Sequence, residues 1–189
     1  MRVAETVFLR RGFTATTMSS VATEAGASKE TLYRHFGSKE TLFAEVLGNR
    51  ARLLRETLDA DFDRPHAMEA VLRDLGTRLI THMNGPEVMC LVRIVIAEVP
   101  RDPEIGRIFF VNGPERTRQR LAEYLGAAKL RGEFHGEPDL AASIFLAAIV
   151  GSLYLIRLTL HDVPMPSPAE VVERVEEVVA MFMQRYGTP

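Results

Sequence analysis

Apolar side chains recur along this chain at three- and four-residue intervals almost throughout, and no convincing run of alternating or β-branched positions bounded by turns interrupts them. The period predicts an all-α protein of about nine to ten helices. Three short helices are expected first, over 2–11, 18–25 and 29–35, with Gly12, Gly26 and Gly37 at or near their ends, where a left-handed residue is cheapest. Thr17, Ser28 and Ser38 stand where a hydroxyl can accept from the first free N–H groups of the next helix. A longer helix is predicted over 39–58, ended by the cluster Asp61, Asp63, Arg64 and Pro65. Others follow over 65–83, 87–98, 103–112, 115–131, 139–161 and 168–186, parted by proline- and glycine-bearing turns.

The segment 17–36, TMSSVATEAGASKETLYRHF, has the order helix, tight turn, helix. Ala22, four residues before Gly26, lets the two helices cross closely, and Gly26 can adopt the positive φ the turn needs. At about 100° per residue the second helix places Leu32 and Phe36 on one face, expected to pack on Phe8, Phe13, Val21, Ala25, Leu42 and Phe43. Glu30, Thr31, Tyr33 and Arg34 fall on the far side, with Lys29 and His35 flanking. These side chains suit a DNA major groove. Lys29 can donate to guanine O6/N7, Thr31 can meet a thymine methyl, and Glu30 can accept from cytosine N4. Tyr33 and His35 offer donors to phosphates, as do Lys39 and the N–H groups opening the helices after Thr17 and Ser38. Taken singly, each of these residues better suits a solvated face of a small helical bundle.

In combination, Ala4 to Leu47, AETVFLRRGFTATTMSSVATEAGASKETLYRHFGSKETLFAEVL, resembles the N-terminal domain of the TetR/AcrR family of bacterial transcriptional regulators. The resemblance implies a helix-turn-helix DNA-binding domain over 1–46, with the motif at 17–36, and a ligand-binding and dimerisation domain over 47–189. It places DNA contacts on Thr17, Ser28, Lys29, Thr31, Tyr33, His35 and Lys39. Family members usually carry a longer, often basic, segment before this point; either the sequence starts late or the protein lacks that arm, and contacts from such an arm stay open. Leu91 to Phe134, LVRIVIAEVPRDPEIGRIFFVNGPERTRQRLAEYLGAAKLRGEF, is more weakly similar to the AefR-like branch.

In the second part, Val171, Val175, Val178, Val179 and Phe182 form a stripe on the last helix, preceded by the nearly uncharged stretch 141–160. That much apolar surface suggests a two-fold, four-helix interface between copies, the alternative being a core within one chain. With a single charge, Arg157, the stretch 141–160 is also long enough to span a bilayer, but its small residues and nearly all-round apolar surface favour a buried helix of a soluble protein. A small, largely apolar effector is expected among Leu75, Leu79, Arg93, Ile94, Phe109, Tyr124 and Phe145.

Charge refines this picture modestly. Residues 1–50 hold seven basic against five acidic side chains, and the remainder sixteen against twenty. A single cysteine, Cys90, excludes an internal disulfide and multi-cysteine metal sites, and no secretory signal is visible, so a cytoplasmic protein is expected. Histidines at 66, 82, 135 and 161 lack metal-ligand spacing, and no nucleophile elbow, phosphate loop or dinucleotide fingerprint occurs. No enzyme activity, cofactor or metal is expected. The reading is a homodimeric repressor released from a palindromic DNA operator by a small molecule. The alternative is a helical small-molecule-binding protein whose helix-turn-helix no longer reads DNA.

Overall fold

Capping hydroxyls and glycines set the helix ends in the structure, a computed structural model that describes residues 1–62 and 67–188, with backbone alone over 53–62. Ten helices occur among the described residues: α1 (Arg2–Arg11), α2 (Met18–Ala25), α3 (Lys29–Phe36), α4 (Lys39–Phe62), α5 (Met68–Met83), α6 (Pro86–Glu98), α7 (Pro103–Asn112), α8 (Pro114–Leu130), α9 (Pro138–Thr159) and α10 (Pro168–Tyr186). No strand is found among them; an isolated antiparallel bridge pairs Phe134 with Gly187. The expected break at Asp63, Arg64 and Pro65 lies outside the described residues, as does His66.

The chain divides into two compact units, Met1–Leu53 with Met89–Pro114, and Leu54–Val88 with Glu115–Pro189. This grouping differs from a division at residue 46, because α6 and α7 pack into the first core. Leu91, Ile94, Val95 and Ile105 join Val7, Phe8, Phe13, Leu32, Leu42, Phe43 and Val46 in one buried cluster. Its centre is aromatic: the Phe8 and Phe43 rings meet edge to face at 4.8 Å, and Phe13 lies 5.3 Å from Phe43. Ala25, expected in this core, is exposed, since the closing turn of α2 has already left the packed face.

The second unit packs α5, α8, α9 and α10 around Leu72, Leu75, Leu121, Leu125, Phe145, Ile149 and Val179. Gly76 on α5 lets α9 and α10 approach closely: a Cβ there would meet Ile149 Cδ1 at 2.9 Å and Val175 at 3.3 Å. The stripe Val171, Val175, Val178, Val179 and Phe182 is wholly buried in this intrachain core, so it does not supply the interface expected of it. The apolar surface left uncovered is a different set, Leu140, Ile144, Leu153, Leu155 and Ile156 on α9 with Val172 and Met181 on α10.

Helix α9 also departs from the unbroken helix expected. Gly151 stands at φ 61°, ψ −171°, a conformation open essentially to glycine alone, and interrupts the helical ladder. In a continuous helix the Ala148 carbonyl would accept from the N–H of residue 152. Here the Arg174 guanidinium of α10 donates to it through Nε (3.1 Å) and Nη2 (2.6 Å), and covers the space a Cβ at 151 would need. Lower on α9, buried Arg157 donates to the Asn84 carbonyl (2.7 Å) and Oδ1 (2.9 Å), tying the end of α5 to α9. By length and composition α9 could cross a membrane, with a mean hydropathy of 2.0 over its most apolar window; only 22% of that window is buried, less than a core helix would show.

Gly151→Ala is expected to cost about 1–3 kcal/mol, through forced backbone strain and displacement of Arg174. Urea unfolding of the variant against the parent measures it.

Candidate nucleic-acid interface

Helix α2 starts at Thr17, whose side chain accepts from Ser20 N (3.1 Å) while Ser20 Oγ accepts from Thr17 N (3.1 Å), a reciprocal cap. It ends at Gly26, at φ 63° and ψ 29°, the left-handed turn the sequence called for. Ser28 then caps α3 by accepting from Thr31 N at 3.1 Å, and its hydroxyl also lies 3.0 Å from Thr31 Oγ1. Leu32 is buried and Phe36 packs against the same core, which fixes how α3 is rotated about its axis. Lys29, Glu30, Tyr33, Arg34 and His35 consequently point to solvent.

On that outer face the Lys29 ammonium lies 5.7 Å from the Tyr33 ring centroid, a contact loose enough to exchange for a better acceptor. Glu30 is held below the usual carboxylate range, chiefly by accepting from its own backbone N–H and next from Ser28, with Lys29 adding to the effect. Its charge is therefore engaged locally at the start of α3, where it reinforces the helix dipole. Arg10 and Arg11 of α1 both pair with Glu24 of α2, which ties the two helices together.

Lys39 differs from the other expected contacts. Its Nζ donates to the Phe13 carbonyl at 2.9 Å and sits 4.2 Å above the Phe13 ring, so one of its donors serves the α1–α2 turn. Ser38 caps α4 from the preceding position, accepting from Thr41 N at 3.1 Å. Of the seven expected contacts, Lys29, Tyr33 and His35 are exposed on the outer face, with Lys29 over Tyr33 and the His35 ring 6.3 Å from Phe36, whereas Thr17, Ser28 and Lys39 also hold the fold and Thr31 shares Ser28's hydroxyl.

The residues expected around an effector do not gather in one unit. Leu75, Leu79, Tyr124 and Phe145 belong to the core of the second, Ile94 and Phe109 to that of the first, and Arg93 is half-buried on α6. Burial is the main cause raising the Tyr124 phenol above its ordinary value, opposed by nearby Arg131. On α9, burial pushes Tyr154 up to about 12.

A core built by α1 to α4 with α6 and α7 presents an eight-residue polar helix through a glycine turn, the arrangement of a helix-turn-helix protein. The chain belongs to the TetR family. Residues 1–46 match the family described as bacterial regulatory proteins of the tetR family, and residues 70–188 match the C-terminal domain of AefR-like transcriptional repressors. A TetR-family transcriptional regulator of Mesorhizobium loti has a similar solved structure, with a TM-score of 0.85 and 32% identity, covering 99% of this chain and 94% of that one. The flavonoid-responsive regulator FrrA aligns with a TM-score of 0.78 and 32% identity over 98% of this chain and 94% of that one. Among curated proteins, the repressor BepR of Brucella suis is 29% identical over 164 residues, 79% of this chain and 75% of that protein. This chain is accordingly a ligand-responsive, DNA-binding transcriptional regulator. Regulators of the family bind DNA operators and typically dimerise.

Ser28→Ala should lower stability by about 1 kcal/mol in the absence of DNA, because it removes a helix cap, whereas Lys29→Ala should leave stability unchanged. Thermal unfolding of the two variants separates the capping residue from Lys29.

Proposed function

We propose that the protein is a cytoplasmic homodimeric repressor that binds a palindromic operator and is released by a small, largely apolar molecule. The observation carrying this reading is the outer face of α3, where Lys29, Tyr33 and His35 stand clear of the core while Leu32 and Phe36 anchor the helix from beneath. Lys29 and Thr31 read base edges. Tyr33, His35 and the N–H groups opening α2 and α4 meet phosphates, and Lys39 serves the turn and the phosphate chain together. One helix of eight residues makes too few base contacts to select a site, so two copies read two half-sites about 34–36 Å apart.

The second copy is proposed to cover the exposed apolar face of α9 and α10. Leu140, Ile144, Leu155, Ile156, Val172 and Met181 lie outside the intrachain core, and self-association through one patch gives the two-fold symmetry a palindrome demands. An effector acts by binding more tightly to the state in which the two reading helices are mis-spaced. FrrA's description as flavonoid-responsive makes flavonoids the first compounds to assay.

Selection of bound duplexes from a random-sequence library should return a short palindrome whose binding weakens steeply with salt. Lys29→Ala should relax selectivity at one position of each half-site, by about 1–3 kcal/mol, whereas Lys39→Ala should weaken all duplexes alike. Equal behaviour of the two variants would remove the assignment of roles, and recovery of no preferred sequence would leave a ligand-binding protein without operator recognition.

Ile144→Arg is expected to convert the dimer to a folded monomer in sedimentation velocity and to abolish preference for paired half-sites. A variant that stays dimeric would locate the interface elsewhere.

A further inference from the structure

Between α1 and α2 the chain runs through Phe13, Thr14, Ala15 and Thr16 to the Thr17 cap, and this short turn sets where the first N–H groups of α2 stand. Little of its own backbone holds it: Thr16 N donates to Phe13 O at 3.2 Å, and the buried Thr16 hydroxyl to Gly12 O at 2.6 Å. Two outside groups grip it. One is Lys39, through Phe13 O. The other is Glu98, the last residue of α6, whose Oε1 accepts from the Thr14 hydroxyl at 2.8 Å.

Glu98 is poorly placed for stability alone. Its residue is 8% exposed, beside a core that includes Leu91, Ile94, Val95 and Ile105. It also lies at a helix C-terminus, the negative end of the dipole, where its own carbonyl accepts from Arg101 N (2.8 Å) and Asp102 N (2.9 Å). Arg101 approaches the carboxylate only at 3.7 Å and is itself largely exposed. A carboxylate in such a position costs desolvation and repulsion, which the Thr14 hydroxyl and a distant cation offset in part.

We propose that Glu98 is a positioning residue for DNA binding: it fixes the α1–α2 turn through Thr14 and so sets the placement of the Thr17 cap and the N-terminus of α2 against the phosphate chain. This rests on the DNA-contact reading above and adds to it a residue of α6, some sixty positions beyond the helix-turn-helix. The bond joins a helix from the part of the sequence expected to serve effector binding to a turn of the DNA-reading core, both inside one compact unit.

The test is a double-mutant cycle in the full-length protein, using the duplex recovered by library selection and a random duplex of equal length. Thr14→Val and Glu98→Leu should each weaken binding to the selected duplex about tenfold, and the double variant should lose no more than the weaker single, because all three remove one bond. Glu98→Gln, whose amide oxygen can accept from the same hydroxyl, should bind within about twofold of the parent. A merely structural bond would lower the melting temperature while leaving the affinity of the folded protein unchanged. Parent-like binding by Thr14→Val, or losses that multiply in the double variant, would overturn the proposal. Should Glu98→Leu fail to fold, Thr14→Val, altered at an exposed side chain, decides the matter with Glu98→Gln as its control. Failure of the parent to prefer any duplex would instead remove the operator reading itself, and with it this role.

Discussion

An eight-residue helix cannot hold its own shape in water, because the cost of nucleating its first turn is not recovered over so few residues. In the proposed function helix α3 reads base edges at fixed positions, so its order has to come from what lies beneath it. Leu32 and Phe36 supply the contact, and the Phe8, Phe13 and Phe43 rings give them a rigid floor. Rigidity matters here more than burial as such, since misplacing a donor by about an ångström forfeits a directional hydrogen bond. The aromatic cluster is therefore the part on which every proposed DNA contact depends, and α6 and α7 enlarge it with Leu91, Ile94, Val95 and Ile105.

The same economy appears in the hydroxyl groups. Thr17, Ser28 and Ser38 each satisfy a backbone N–H at the start of a helix, so their side chains are spent on local order. What remains at α2 and α4 for a phosphate is the set of uncapped backbone donors and the positive end of the helix dipole. Residues of one motif thus divide into those that aim it and those that touch, a division that residue type alone does not reveal. Lys39 shows the difficulty most clearly, since its ammonium both stacks over Phe13 and carries the charge a phosphate would seek.

What was legible in the sequence was whatever is encoded locally. Helix ends fell at their glycines, prolines and hydroxyl caps to within a residue or two in nearly every case, because each signal acts on the turn beside it. The outward set on α3 was legible for the same reason. Partnership between distant elements was not. The valine stripe of α10 correctly announced a buried face, but periodicity does not say whether the cover comes from the same chain, and α5 and α9 supply it. Helices α6 and α7 read as part of the second domain, yet their apolar positions complete the first core. The break at Gly151 carried only a weak sign, a glycine in an apolar helix, and the decisive partner, Arg174, stands on another helix.

An effector site is harder to read than the DNA face because its requirements differ. A recognition helix must present specific donors outward, and a short run of residues with the right period suffices. A pocket for an apolar molecule needs concavity, and the side chains that line it are of the types that also fill a core. Six of the seven residues chosen by such chemistry accordingly divide between two separately packed clusters, with Leu75, Leu79, Tyr124 and Phe145 in one and Ile94 and Phe109 in the other. In the proposed scheme, regulation requires only that an effector distinguish two arrangements of a dimer, and the free energy it contributes is its difference in affinity between them. Apolar burial is nearly direction-free, so it can favour either arrangement; polar ties such as Arg157 to Asn84 and Glu98 to Thr14 are directional and hold only where donor and acceptor stay aligned. Any discrimination between two arrangements would draw on directional ties of that kind, because apolar packing has no preferred direction.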